Sequence, residues 1–86
     1  MKLPRNISGA RLIKALNRLG YGITRQVGSH VRLECQLPKP HHLTVPIHDP
    51  LRVGTLASIL NEIARHHSLS KEEVILRLFG KINDHN

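Results

Sequence analysis

The sequence predicts an α+β fold in which helices cover one face of an antiparallel three-stranded sheet, in the order α-β-β-β-α-α. Three patterns carry this prediction. Apolar residues recur at helical spacing near the start of the chain, apolar and polar residues alternate in the middle, and two further helical patterns follow. Strands grouped between helices favour an antiparallel sheet with helices on one face. The opposite face of the sheet is then left to solvent or to a ligand.

The first predicted helix runs from about Gly9 to Leu19. Ser8 is a suitable N-cap, because its hydroxyl can accept a hydrogen bond from a free N–H of the first turn, and Gly20 lies where a left-handed residue ends a helix. The apolar face consists of Leu12, Ile13, Leu16 and Leu19. The spacing i, i+3, i+7 predicts an exposed cationic stripe of Arg11, Lys14 and Arg18.

Two strands of a hairpin follow. The first is predicted from Tyr21 to Val27, with Tyr21, Ile23 and Val27 in phase; Arg25 breaks the phase, which indicates an edge strand or a bulge. Gly28-Ser29 predicts a tight reversal into the second strand, His30 to Leu37. The inward face of that strand carries Val31, Leu33, Cys35 and Leu37, and its outward face carries His30, Arg32, Glu34 and Gln36.

The rest of the chain completes the sheet and adds two helices. Pro38-Lys39-Pro40 predicts a loop, and His42 to Pro46 a short third strand with Leu43 and Val45 inward. A second helix is predicted from about Gly54 to Arg65. Ser70 and Glu73 form a capping-box pattern that starts a third helix, Lys71 to Phe79, which Gly80 ends. Residues 81–86 are expected to be a flexible tail.

Length and composition limit the classes of protein. The 86 residues allow a single domain, 1–86, with its core at about 8–80. A chain this short buries roughly 60–65% of its unfolded surface, so any site should be a shallow surface patch. The lone Cys35 excludes an internal disulfide framework and gives no support to a cysteine-based zinc site, and its inward phase makes it a small hydrophobic residue. No apolar run indicates a secretory signal or membrane span, so we expect a cytoplasmic protein without a membrane partner.

The charge distribution favours a polyanionic partner. The net charge is +7, and the chain up to Leu33 carries seven cations and no carboxylate before Glu34. This asymmetry favours nucleic acid over an anionic membrane. Only two aromatic rings besides histidine are present, Tyr21 and Phe79, which argues against base stacking and for binding through the backbone.

The sequence gives little support to metal or nucleophilic catalysis. The seven histidines include no H-x-x-x-H or H-E-x-x-H pair. The neighbours His41 and His42 should face opposite sides of a strand. His66 and His67 lie at the end of a helix, and His85 lies in the tail. No nucleophile elbow or phosphate loop occurs. We therefore expect no metal site and no cofactor.

RNA cleavage by the 2′-hydroxyl of the RNA itself needs neither a metal nor a cofactor. A histidine can act as general base or acid and contributes typically ~10²–10⁴-fold, while cations stabilise the developing charge. His30 with Arg32 supplies this minimum, and His48 is a second imidazole whose direction Pro46 leaves open. On spacing alone, an exposed residue at a turn is the better explanation of His30 than a catalytic role.

Several separated blocks resemble HicA-type toxins, the small mRNA interferases of HicA–HicB toxin–antitoxin pairs. The resemblance covers most of the chain, from Gly9 to Phe79, and the order and spacing of the blocks carry it. The blocks are Ser8-Gly9, Gly20-Tyr21, Gly28-Ser29-His30, Val45-Pro46-Ile47-His48, the Gly54–Leu60 segment GTLASIL and Ser70-Lys71-Glu72-Glu73. The chain departs from the family at Val74, where members often have a larger aromatic residue, and in the proline-rich loop Pro38–His41.

The resemblance implies a double-stranded-RNA-binding-like fold and metal-independent cleavage of mRNA. It implies that His30 is the essential catalytic residue, that Gly28 and Ser29 shape the turn presenting it, and that a HicB-type antitoxin masks this surface. With the cations, the predicted RNA-binding set is Gly28, Ser29, Arg32, Arg11, Lys14, Arg18, Arg25 and His48. Two alternatives remain: a non-catalytic double-stranded-RNA-binding module of the same fold, and an interaction protein whose basic surface binds an acidic partner.

Overall fold

The computed structural model describes residues 3–80, so the predicted tail at 81–86 lies outside the described residues. Its elements are α1 (Gly9–Arg18), β1 (Gly22–Val27), β2 (His30–Cys35), β3 (His41–Pro46), α2 (Val53–His67) and α3 (Lys71–Phe79). The predicted α+β class and the element order are confirmed. Between residues 3 and 80, no helix has the length and hydropathy needed to cross a membrane.

The sheet has the order β1-β2-β3 and is antiparallel throughout, with β2 at its centre. Val31, Leu33, Cys35, Leu43 and Val45 are buried, as the alternation predicts. Leu37 was predicted to face inward but is 79% exposed. The β2–β3 pairing ends at Cys35 and His41, and Pro38 has no N–H with which to extend it. The alternating pattern therefore continues to Leu37 in the sequence, but Leu37 lies beyond the paired strand and is not held facing the core.

A bulge in β1 changes which residues share a face. Ile23 pairs with Leu33 and Arg25 pairs with Arg32, so Thr24 is the extra residue. The predicted edge position and irregularity at Arg25 are both confirmed. The expectation that Ile23 and Val27 share a phase is wrong, because the extra residue reverses the alternation and puts Val27 opposite His30.

The core lies between the sheet and the three helices. Helix α3 packs against α1 and α2, and α1 and α2 also pack against β3. β1 therefore lies beyond the helical cover, and all six of its residues are exposed. Cys35 is buried with the aliphatic residues, and Val74 is fully buried, which places that departure from the family in the core.

Both predicted serine caps form. The hydroxyl of Ser8 accepts from the backbone N–H of Arg11 at 3.0 Å, and that of Ser70 accepts from the backbone N–H of Glu73 at 3.1 Å. The reciprocal contact of the predicted capping box, from the backbone N–H of Ser70 to the Glu73 carboxylate, does not form among residues 3–80. The Glu73 carboxylate instead accepts from Arg77 Nε at 3.4 Å, one turn further along α3.

Candidate functional site

The hairpin turn presents His30 at the open face of the sheet. Gly28 has a φ of +58°, a left-handed conformation that glycine adopts without the cost of a Cβ. The Gln26 side chain donates to the Gly28 carbonyl at 3.1 Å. His30 is the first residue of β2, pairs with Val27 and Pro46, and is exposed. Its predicted outward position is confirmed.

Three segments meet at this end of the sheet. The backbone N–H of Ile47 donates to the Ser29 carbonyl at 2.6 Å, which extends the β2–β3 ladder past the His30–Pro46 pair. The backbone N–H of Gly9 donates to the His48 carbonyl at 2.8 Å. The hairpin turn, the start of α1 and the residues after β3 are thus tied together by backbone hydrogen bonds.

This convergence brings His48 to the same end of the sheet as His30. His48 lies two residues beyond Pro46, the cross-strand partner of His30, and its side chain is exposed. Gly9 permits the close approach, because a Cβ at that position would collide with the carbonyl oxygen of Pro46. The resemblance block that begins α1 and the block that contains His48 are therefore parts of one junction.

Arg25 and Arg32 extend the site along the open face. They are cross-strand partners, and like charges opposite each other in a sheet are unfavourable until an anion lies between them. Arg32 Nε also lies 3.2 Å from Glu34 Oε2, with the two side chains 45% and 35% exposed. Because an exposed ion pair contributes about 0–1 kcal/mol, a bound phosphate can compete for this guanidinium.

The predicted stripe on α1 lies in the helical layer and lines a shallow groove against α3. The Arg11 guanidinium lies 5.7 Å from the centroid of the Phe79 ring. Arg18 Nη2 donates to the Leu78 carbonyl at 2.7 Å, where α3 ends. Lys14 also lines the groove. The predicted RNA-binding residues thus divide into a sheet group around His30 and a groove group, in which Arg18 has a structural contact that the sequence did not predict.

The opposite end of the sheet holds a histidine cluster that sequence reasoning missed. The Tyr21 hydroxyl is hydrogen-bonded to His41 Nδ1 at 2.9 Å and to His67 Nε2 at 3.0 Å. The rings of His41 and His66 are stacked, with centroids 4.1 Å apart. As predicted, His41 and His42 face opposite sides: His41 is half-buried and His42 is exposed. The available signal was the phase of His41 with Leu43 and Val45, which puts its ring on the core side.

Burial controls the ionisation of this cluster. It lowers the pKa of His41 below its ordinary value, and the neighbouring His66 lowers it further. Burial also lowers the pKa of His67, with smaller contributions from His66 and Arg77. For Tyr21, burial raises the pKa of the hydroxyl. At neutral pH, burial therefore favours the neutral rings of His41 and His67 beside a protonated Tyr21 hydroxyl.

Comparison with known proteins identifies the family. The model of the family described as the HicA toxin of bacterial toxin–antitoxin systems matches residues 9–64, from the first residue of α1 to the last turn of α2. No curated protein and no solved structure gives a significant match. The matched segment contains the whole sheet and the junction around His30, and it covers more than half of the chain. The chain therefore belongs to the HicA family of toxins from toxin–antitoxin systems.

Proposed function

We propose that this toxin is a metal-independent endoribonuclease that cleaves mRNA in the cytoplasm and is inhibited by a HicB-type antitoxin. The observation that carries the proposal is the exposed imidazole of His30, held at a glycine turn beside Arg25 and Arg32 on an open sheet face. An imidazole and adjacent guanidiniums suit general acid–base chemistry at a phosphodiester.

The reaction requires only groups that this face can supply. His30 accepts the proton of a ribose 2′-hydroxyl, and the oxygen attacks the adjacent phosphorus. The bond between O2′ and phosphorus forms while the bond from phosphorus to O5′ breaks, giving a 2′,3′-cyclic phosphate and a 5′-hydroxyl. A protonated imidazole, either His30 or His48, supplies the proton to O5′. Arg32 and Arg25 stabilise the charge that develops on the phosphoryl oxygens.

The backbone contacts around the turn support this assignment. The Ile47–Ser29 and Gly9–His48 hydrogen bonds fix the turn and the segment after β3 relative to α1. A catalytic group held on such a junction keeps its position when substrate binds, and this lowers the entropic cost of the reaction. Gly28 and Ser29 act by shaping the turn and by leaving room for a phosphate backbone.

The same face suits an antitoxin. Val27 is 60% exposed directly across from His30, and Ile47 is 43% exposed beside the turn. Apolar side chains next to cationic ones fit a protein partner with acidic and apolar contacts. A partner bound there covers His30 and blocks access to RNA.

A direct test uses the purified protein in a metal chelator with a defined mRNA. We expect cleavage products ending in cyclic phosphate, and we expect His30→Ala to lower the cleavage rate by about 10²-fold or more. His42→Ala is the matched control, since His42 is an exposed histidine on the same face but at the far end of β3. Equal rates for His30→Ala and the parent protein would refute the assignment. We expect expression of the parent protein to arrest growth and expression of His30→Ala not to do so.

The second candidate, a non-catalytic double-stranded-RNA-binding module, is favoured by the groove group on α1, which lies apart from His30. It predicts duplex binding with a steep salt dependence and intact RNA after long incubation. An interaction protein for an acidic partner would bind no RNA at physiological salt. Binding and cleavage measured on the same samples therefore separate the three functions.

A further inference from the structure

The histidine cluster lies at the opposite end of the sheet from His30 and has no part in the proposed reaction. Two of its histidines lie near a cysteine, and these three residues come from three elements. Cys35 ends β2, His41 begins β3 and His66 lies in the last turn of α2. Cys35 and His41 are cross-strand partners. One ligand atom from each of the three residues lies within 4.8 Å of the other two.

We propose that Cys35, His41 and His66 form a binding site for a borderline-soft divalent ion, with Zn²⁺ as the natural occupant. A thiolate with two imidazoles is a donor set that selects Zn²⁺ or Co²⁺ over Mg²⁺ and Ca²⁺. The ion takes three protein ligands, and its fourth position faces the pocket outside the cluster. This inference does not depend on the proposed ribonuclease activity.

The distances in the cluster are close to those of a tetrahedral site. Donors about 2.0–2.3 Å from a tetrahedral ion lie roughly 3.3–3.8 Å apart, so the three atoms must approach by about 1 Å. Cys35 is fixed in the core at 4% exposure, whereas His41 and His66 are only partly buried and can turn toward the sulfur. Closure is therefore a movement of two side chains rather than of the backbone.

Hydrogen bonds orient both imidazoles as they do around known zinc ligands. The Lys39 carbonyl can only accept, so its 2.9 Å contact requires a proton on His66 Nε2 and leaves Nδ1 of the neutral ring with a free lone pair. His41 Nδ1 is bonded to the buried Tyr21 hydroxyl, which leaves Nε2 as its remaining nitrogen. Contacts of this kind with a carbonyl or a hydroxyl set the ring orientation of metal-binding histidines.

The fourth coordination position of the proposed ion faces a pocket that is lined by both positively and negatively charged side chains. Glu62 lies one turn before His66 on the same face of α2 and lines this pocket together with Lys39 and Arg65. Its carboxylate balances the two cations that line the pocket. The pocket admits water, so an ion can enter without unfolding of the chain.

The test uses protein without a histidine tag, stripped with chelator and titrated with Co²⁺. A tetrahedral site with a thiolate gives a thiolate-to-cobalt charge-transfer band and intense visible bands that saturate at one ion per chain, and Zn²⁺ abolishes both. Octahedral Co²⁺ spectra without charge transfer would overturn the proposal. Tyr21→Phe should weaken Co²⁺ binding by about 10–100-fold, because it removes the group that orients His41.

Two ligand variants and one control complete the test. Cys35→Ser should remove the charge-transfer band. His66→Gln should weaken Co²⁺ binding. Because His66 is only partly buried and lies outside the core, this second variant tests the proposal even if Cys35→Ser fails to fold. His42→Gln should bind Co²⁺ like the parent. Unchanged binding by His66→Gln, or loss of binding by His42→Gln, would show that the three residues only pack together. RNA cleavage in chelator reports separately on His30.

Discussion

Replacing Gly9 with alanine should destabilise the protein, although alanine is the better helix former. The added Cβ would collide with the carbonyl oxygen of Pro46 and lie 3.0 Å from the Ile47 Cα. These are backbone atoms and cannot move aside alone, so α1 must shift from the end of β3. Overpacking of this kind costs about 1–3 kcal/mol, and the helix-propensity gain offsets at most about 1 kcal/mol.

After the full offset, the net loss is up to about 2 kcal/mol, which corresponds to a Tm decrease of up to roughly 16 °C in a domain of this size. Gly54→Ala is the matched control, because Gly54 is also a helical glycine, but no other described segment comes within 4 Å of an added Cβ there. It should raise the unfolding free energy by about 0.4–1 kcal/mol. Calorimetry on both variants decides the matter: a Gly9→Ala protein as stable as Gly54→Ala would refute the steric argument and the close junction on which the site depends.

Three further substitutions test individual contacts by urea denaturation. Ser70→Ala should lower the unfolding free energy by about 0.5–2 kcal/mol, because it removes the acceptor for a first-turn N–H of α3; an unchanged value would mean that water replaces the hydroxyl. Arg18→Gln should cost about 1 kcal/mol or more through its bond to the Leu78 carbonyl, whereas Lys14→Gln should stay within about 0.5 kcal/mol; equal losses would contradict a structural role for Arg18. Tyr21→Phe should cost about 1–3 kcal/mol, since two imidazole nitrogens lose their partner, and a phenylalanine variant as stable as the parent would show that the hydroxyl network is dispensable.

Local patterns predicted the elements well. The caps at Ser8 and Ser70, the inward series on β2 and the glycine turn before His30 all depend on neighbours within a few residues. The exposure of His30 follows from the same alternation. These features require no knowledge of how distant segments pack.

Features created by tertiary contacts could not be predicted from the sequence. Arg18 binds a carbonyl 60 residues away, so its structural contact had no local signal. The broken phase at Arg25 indicated an irregular strand, but it did not show that the extra residue would move Val27 to the face of His30. Cys35, His41 and His66 come together only because the end of α2 packs over the loop between β2 and β3, and no motif spacing reports such a meeting.

The outer strand β1 has a consequence for the behaviour of the isolated protein. Among residues 3–80, β1 pairs with β2 on one side only, and rows of unpaired backbone groups at a sheet edge invite pairing between molecules. Thr24 interrupts the regular ladder at mid-strand, and the guanidinium of Arg25 repels the same position on a second copy. Both features oppose intermolecular sheet extension, which favours solubility even when no partner covers the strand.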